Sequence, residues 1–101
     1  MRQRRDEEAI KYLERYLAIQ PEQMMARANL GKAYLHLNRF EEAAIHLEKA
    51  LAVDRFGDIH FQLAAALRKL GRKKEADAAL AESTRIRERE HRREEKLRLG
   101  R

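Results

Sequence analysis

The feature that most constrains this sequence is an internal repeat at intervals of 34 and 33 residues. At a shift of 34, residues Ala9, Leu13, Glu14, Leu17 and Ala18 recur as Ala43, Leu47, Glu48, Leu51 and Ala52. At a shift of 33, residues Leu30, Leu37, Arg39, Ala43 and Leu47 correspond to Leu63, Leu70, Arg72, Ala76 and Leu80. A period of this length indicates stacked units, because one small unit cannot bury its apolar face alone.

Each unit is predicted to be a pair of helices joined by a tight turn. Leu30, Tyr34 and Leu37 follow helical spacing, and Asn38 and Gly71 are residue types that tolerate the left-handed conformation just after a helix. The predicted helices lie near residues 6–20, 23–37, 40–54, 58–70 and 73–97.

Punctuating residues separate the predicted helices. Pro21 ends the first helix because proline cannot continue one, and Gly57 breaks the chain before the fourth. Asp58 is predicted to cap that fourth helix with its carboxylate.

Composition supports one small, soluble, all-helical domain. The chain has 101 residues, 40% of them charged, and no cysteine, which excludes disulfides and thiolate zinc sites. The longest apolar run, residues 63–67, is too short to span a membrane, and the basic residues 1–5 are not followed by the apolar stretch of a secretory signal. We therefore expect no membrane association, and these absences favour a cytoplasmic location.

The spacing of small and large apolar residues is similar to that of a known family. Leu30-Gly31-x-x-Tyr34, followed by Ala43, Leu47 and Ala50, resembles the tetratricopeptide repeat. A second, weaker copy contains Leu63-Ala64-x-x-Leu67 and Ala76-x-x-x-Leu80, and half a copy precedes both, with Ala9-x-x-x-Leu13 closing in Pro21. Three positions depart from the pattern, since Arg27, Arg55 and Ser83 replace a large apolar residue, a proline and a small apolar residue.

The resemblance implies an all-α array of helical hairpins, a right-handed superhelix of five helices with a charged C-terminal helical extension. We expect a repeat domain over residues 1–84, made of a half repeat (6–20) and two repeats (23–56 and 57–84), followed by the extension (85–101). It also implies a non-catalytic module that binds a protein or peptide in a concave groove.

The residue types that carry enzymatic chemistry are scarce in this chain. The four histidines (His36, His46, His60 and His91) are not spaced as paired metal ligands on a helix. Ser83 is the only serine, and the four glycines are not clustered into a phosphate-binding loop. The sequence therefore predicts no catalytic site, no metal and no cofactor.

By resemblance, the groove is lined by the first helix of each pair. The residues off the predicted packing stripe of these helices, or at its edge, are Met25, Ala28, Asn29, Lys32, Leu35, His36, Phe61, Gln62, Ala65, Arg68 and Lys69. Phe61 has two interpretations: an aromatic anchor for a ligand in the groove, or a core side chain. Lys32, Arg68 and Lys69 favour an acidic ligand, although Ala28 and Asn29 do not reproduce the family's carboxylate clamp.

The first helix lacks the partner helix that would precede it in a full repeat. We expect its apolar residues Ile10, Leu13, Tyr16 and Leu17 to remain partly uncovered. Either a preceding repeat of a longer array covers this face, or a second chain does. Exposed apolar faces often mark interfaces, so self-association into a homo-oligomer is the alternative function.

Charge says little about the groove. The formal net charge is +6, but the positive excess lies in residues 1–5 and 83–101. The basic tail has no interleaved aromatic residues for stacking on bases, so nucleic-acid binding is the least favoured function.

Overall fold

In a computed structural model, which describes residues 2–100, the chain forms five α-helices. They are α1 (Arg2–Ile19), α2 (Met24–His36), α3 (Phe40–Lys49), α4 (Asp58–Lys69) and α5 (Lys73–Leu99), with a short 3-10 helix (Leu51–Val53) after α3. No strand occurs within this part of the chain. The prediction of an all-α array with five helices is therefore confirmed.

Two helix boundaries differ from the sequence prediction. Helix α1 begins at Arg2 rather than near residue 6, so the charged residues before Ile10 are already helical. The third helix ends at Lys49, and the chain tightens into the 3-10 helix before turning. Helix ends often tighten in this way, which sequence periodicity cannot resolve.

The helices stack in chain order. Each packs mainly against its neighbours in sequence, and α2 also contacts α4 across the repeat boundary. The hairpins α2–α3 and α4–α5 therefore lie side by side, with α1 at one end against α2. This order gives α1 one main packing partner, whereas α3 has α2 on one side and α4 on the other.

The two hairpin turns have the same geometry. Asn38 and Gly71 adopt positive φ angles of 62° and 79°, as predicted from their residue types. In each turn, the backbone N–H of the following arginine donates to a carbonyl five residues earlier, Arg39 to Tyr34 and Arg72 to Leu67, both at 2.9 Å. These bonds satisfy carbonyl groups that the helix end would otherwise leave without a partner.

Small residues let the helices of the complete repeat approach closely. Ala43 and Leu47 on α3, and Ala50 directly after it, are fully buried. A Cβ built on Gly31 of α2 would lie only 2.7 Å from Cγ of Leu47, so the two helices meet at a contact that leaves little room for a side chain.

The turn before α4 is held by Asp54, and the prediction that Asp58 caps this helix is wrong. Asp54 Oδ1 accepts the backbone N–H of Gly57 at 2.9 Å, and Oδ2 accepts the N–H of His60 at 2.8 Å. Asp58 is already the first residue of α4. Gly57 has φ of +90°, and the buried Ser83 hydroxyl donates to its carbonyl at 2.8 Å, fixing this turn against α5.

Helix α5 is 27 residues long and runs through the predicted end of the repeat domain without a break. Its first half packs on α4 through Ala76, Ala79 and Ser83, and Ile86 is the last buried residue. Beyond it, exposed charged side chains predominate.

Candidate functional site

An elongated concave surface lies between α1 and α2, and we call it the α1/α2 trough. It encloses a cavity of about 470 Å³. Its lining residues are Arg5, Asp6, Ala9, Tyr12 and Leu13 from α1 and Asn29, Lys32, Ala33 and His36 from α2. Both helices contribute side chains from about two successive turns, so the trough is elongated along them.

The floor of the trough is apolar and its sides are charged. Asp6 Oδ1 lies 3.4 Å from Nδ1 of His36, which links the two helices. The other oxygen, Oδ2, is buried and has no hydrogen-bond partner among the described residues. Arg5 and Lys32 are exposed beside it, so the trough carries two permanent positive charges around one carboxylate that already lies against His36.

The predicted groove residues of α2 divide into two sets. Asn29, Lys32 and His36 share the trough, and Met25 is exposed without lining it. Leu35 is half-buried against the core. Ala28 is 5% exposed and belongs to the core, so its predicted position on an open groove is wrong. Helix α4 packs against α2, and a small side chain there is readily covered.

The predicted groove residues of α4 do not reach the trough. Phe61, Ala65 and Arg68 line a separate, smaller cavity of about 120 Å³, together with Ala64 and with Leu80 of α5. Gln62 is half-buried and Lys69 is exposed. The residues that the sequence assigned to one groove therefore lie at two separate cavities.

Phe61 is not a core residue, because its side chain is 46% exposed. The guanidinium carbon of Arg87 lies 5.1 Å from the centre of its ring, a cation–π geometry. The interpretation of Phe61 as a core side chain is therefore wrong.

The residues predicted to form a self-association face on α1 do not all lie on the side of the helix that is left uncovered. Ile10 and Leu17 are 6% and 7% exposed and lie in the core, so their prediction as uncovered residues is wrong. Leu13 and Tyr16 are half-buried. At 100° per residue, Ile10 and Leu17 fall on one side of α1 and pack within the core, about a quarter-turn away from Ala9.

Sequence reasoning missed five residues of the trough, Arg5, Asp6, Ala9, Tyr12 and Ala33. The signal was present in the repeat: Ala9 and Leu13 correspond to Ala43 and Leu47, the residues of α3 buried in the complete repeat. Their equivalents on α1 therefore mark the side on which a preceding helix would lie.

A polar cluster lies on the other side of α2, around the buried Tyr34. Its hydroxyl donates to Glu14 Oε2 of α1 at 2.5 Å, and its ring stacks on His46 of α3 with centres 5.6 Å apart. Burial and the bond to Glu14 raise the pKa of Tyr34 to about 12. Tyr34 thus joins three helices and stays protonated at neutral pH.

His46 also explains why Arg27 is accepted in the packing stripe. Arg27 Nη1 lies 3.3 Å from Nδ1 of His46, and Nη2 donates to the carbonyl of Pro21 at 3.2 Å. Burial, followed by the charge of Arg27, lowers the pKa of His46 below its ordinary value. The cluster is structural, because neutral His46 supplies a stacking surface and an acceptor.

Neither a metal-binding cluster nor a membrane-spanning helix is found in residues 2–100. No group of three or more histidine, cysteine, aspartate or glutamate side chains is arranged to hold a metal ion there. None of the five helices is long and apolar enough to cross a membrane.

Comparison with known proteins matches the repeat architecture. Two family models described as tetratricopeptide repeat match the chain, one over residues 1–57 and the other over residues 57–90. No curated protein matches the sequence. Repeats of this family generally act as protein–protein interaction modules and are typically non-catalytic. With about two and a half repeats and five stacked helices, this chain belongs to the tetratricopeptide repeat family.

Proposed function

We propose that this chain is a non-catalytic binding module that holds a peptide or partner helix on the surface formed by α2 and its neighbours. The observation that carries the proposal is the α1/α2 trough, where Asn29, Lys32 and His36 meet the apolar residues Ala9 and Leu13. An elongated apolar floor with polar groups at its sides suits a peptide that buries alternate side chains or one helical face.

A random peptide library displayed on phage tests this proposal. We expect selected peptides to be acidic and to bind in fluorescence-anisotropy titrations. Lys32→Glu should weaken them severalfold, because it replaces a positive charge beside the ligand with a negative one. The matched control is Lys74→Glu on α5, where a lysine outside the trough undergoes the same charge reversal. Selected peptides that bind both variants equally would contradict the proposal.

Phe61→Ala asks whether the smaller cavity beside α4 contributes. The half-exposed ring should matter only to peptides that reach α4, whereas the trough is lined by α1 and α2. Peptides that are lost with Phe61→Ala and retained with Lys32→Glu would place the binding surface on α4.

Self-association through α1 is the second candidate function. The observation in its favour is that Tyr12 is 67% exposed beside the half-buried Leu13 and Tyr16. Analytical ultracentrifugation tests it: a concentration-dependent dimer that Tyr12→Glu dissociates is the expected result. A monomer over the whole accessible concentration range would contradict this function.

A further inference from the structure

The complete repeat serves as a template for the open face of α1. Ala43 and Leu47 on α3 are fully buried in the complete repeat, and Gly31 of α2 approaches Leu47 so closely that a Cβ there would clash. The corresponding residues on α1, Ala9 and Leu13, are only half-buried. Helix α1 therefore presents the same residues that α3 uses to pack against α2, but without a preceding helix packed on them.

The α1/α2 trough is long enough to bind a helix of about two turns. The lining residues of α1 extend from Arg5 to Leu13, about 12 Å at the helical rise of 1.5 Å per residue. Those of α2 extend from Asn29 to His36, which is two turns. A helix lying there would contact both α1 and α2.

The residues of the trough also determine which side chains a docked helix needs. It needs a small residue opposite Leu13, as Gly31 lies opposite Leu47, since a large one would collide with the leucine. Tyr16 stands at the position that corresponds to Ala50, and its ring stacks on Tyr12 with ring centres 6.5 Å apart. Two aromatic rings therefore lie at the edge of the trough on α1.

The charge of the trough indicates an acidic occupant. Arg5 and Lys32 lie along its two sides, and its carboxylate, Asp6, already faces His36. Negative side chains along the edges of a docked helix would meet both cations. A second copy docking through α1 would instead bring its own Arg5 toward this positive surface, and the exposed end of α5 is rich in arginine.

We propose that the α1/α2 trough is a docking site for an acidic amphipathic helix of another protein, which lies on α1 as α2 lies on α3 and completes the half repeat. The proposal rests on the proposed function and specifies its partner. The docked helix has a Leu-Gly-x-x-Tyr pattern or a similar one on its buried face and glutamate or aspartate on its flanks.

A designed peptide is the probe. It is a lactam-bridged helix that keeps the Leu-Gly-x-x pattern of α2, carries glutamate at its outward positions and has a single tryptophan in place of the tyrosine. The chain itself contains no tryptophan, so the fluorescence reports the peptide alone. We expect saturable binding, weakened roughly tenfold when the peptide glycine is replaced by leucine, a change equivalent to a well-placed steric clash.

Matched variants of α1 locate the peptide. Ala9→Glu places a charge in the trough and should weaken binding by roughly tenfold or more. Ala18→Glu makes the same substitution on the exposed side of α1 and should leave binding unchanged. Lys32→Glu on α2 is a second, independent variant, expected to weaken binding severalfold and to remove much of its salt dependence.

The contrary outcomes are distinct. Equal binding to the Ala9→Glu and Ala18→Glu variants, or no preference for the glycine peptide, would overturn the helix-docking proposal. If the designed helix does not bind but library-selected peptides bind and are sensitive to Lys32→Glu, the proposed function stands and this inference fails. If neither binds, both fail. A dimer that Ala9→Glu dissociates would identify a second copy as the occupant and would also overturn it.

Discussion

Leu13 in α1 and Leu47 in α3 occupy matching positions in the repeat, yet Leu13 is half-buried and Leu47 is fully buried. The segments around them share five identical residues at a shift of 34, three of them within α1 and α3, so local sequence alone does not explain the difference. What differs is the neighbour: α3 lies between α2 and α4, whereas α1 packs mainly against α2. Burial in a stacked array is therefore set by the neighbouring helices, here the preceding one, as much as by the helix itself.

The largest expected effect is on the two leucines. Leu47→Ala should lower the free energy of unfolding by about 3 kcal/mol, because it leaves an enclosed cavity that the surrounding side chains fill only in part. Leu13→Ala should lower it by about 1 kcal/mol, because half of that side chain already contacts water. Urea denaturation of both variants measures the difference. Equal losses would mean that the half repeat is packed as tightly as the complete one.

The next pair exchanges the residues at two matching positions of the repeat, 16 in α1 and 50 directly after α3. Ala50→Tyr should lower the free energy of unfolding by about 2 kcal/mol, because the ring must enter a fully packed contact. Tyr16→Ala should lower it by about 1 kcal/mol or less, since Tyr16 is only half-buried. Thermal melts of the two variants are the measurement. If Tyr16→Ala were the more damaging of the two, α1 could not be the open side of the array.

The turns after α1 and α3 provide a third contrast. Pro21 follows α1, whereas the corresponding residue after α3 is Arg55, and Asp54 holds that turn through backbone N–H groups. Asp54→Ala should therefore lower the free energy of unfolding by about 1 kcal/mol. Glu22→Ala in the first turn is the control and should have almost no effect, because Glu22 is exposed. Equal stability of both variants in urea would show that Asp54 is not needed for the turn.

The carboxyl of Asp54 also has a pH signature. Burial alone would raise its pKa, but the hydrogen bonds donated by His60 and by other N–H groups of the turn outweigh burial and lower it. The ionised form therefore stabilises the fold above the ordinary pKa of the group, and that contribution is lost as the pH falls through the lowered pKa.

The smallest effect is expected from pH at His46, whose counterpart in α1 is the exposed Tyr12. Burial and Arg27 lower the pKa of His46 in the folded chain, so the unfolded chain takes up a proton first as the pH falls. Its contribution is fully present above the ordinary value of 6.5 and decreases as the pH falls from there through the lowered pKa. Urea midpoints of wild type and His46→Gln should converge across this interval, and parallel profiles would count against the assignment.

Much of the fold could be predicted because it depends on local patterns. The periodic leucines and alanines indicated the five helices, and Asn38 and Gly71 marked two turns that proved to have the same geometry. The cap of α4 could not be read in the same way, since Asp54 reaches over three and six residues to Gly57 and His60. That contact depends on the shape of the turn, which a spacing rule for helix caps does not include.

The candidate site was predicted less well because it depends on which side of a helix a neighbour covers. Helical spacing places Ala28 off the apolar stripe of α2 and Ile10 and Leu17 on the apolar face of α1. It does not say where the adjacent helix lies, and all three residues are in fact buried. The better guide was internal comparison: Ala9 and Leu13 match residues of α3 that are fully buried in the complete repeat. Phe61 had no such guide, because its position in the preceding repeat is taken by Ala28.

The single main contact of α1 has a consequence for the motions of the molecule. A terminal unit held through one interface opens at a lower free-energy cost than the units behind it. Amide hydrogens of α1 are therefore expected to exchange with solvent through local detachment of the helix, and those of α3 only through opening of the whole array. A ligand that adds a second interface to α1 must offset the cost of holding this helix in place, and by stabilising the docked form it would raise the protection of these amides.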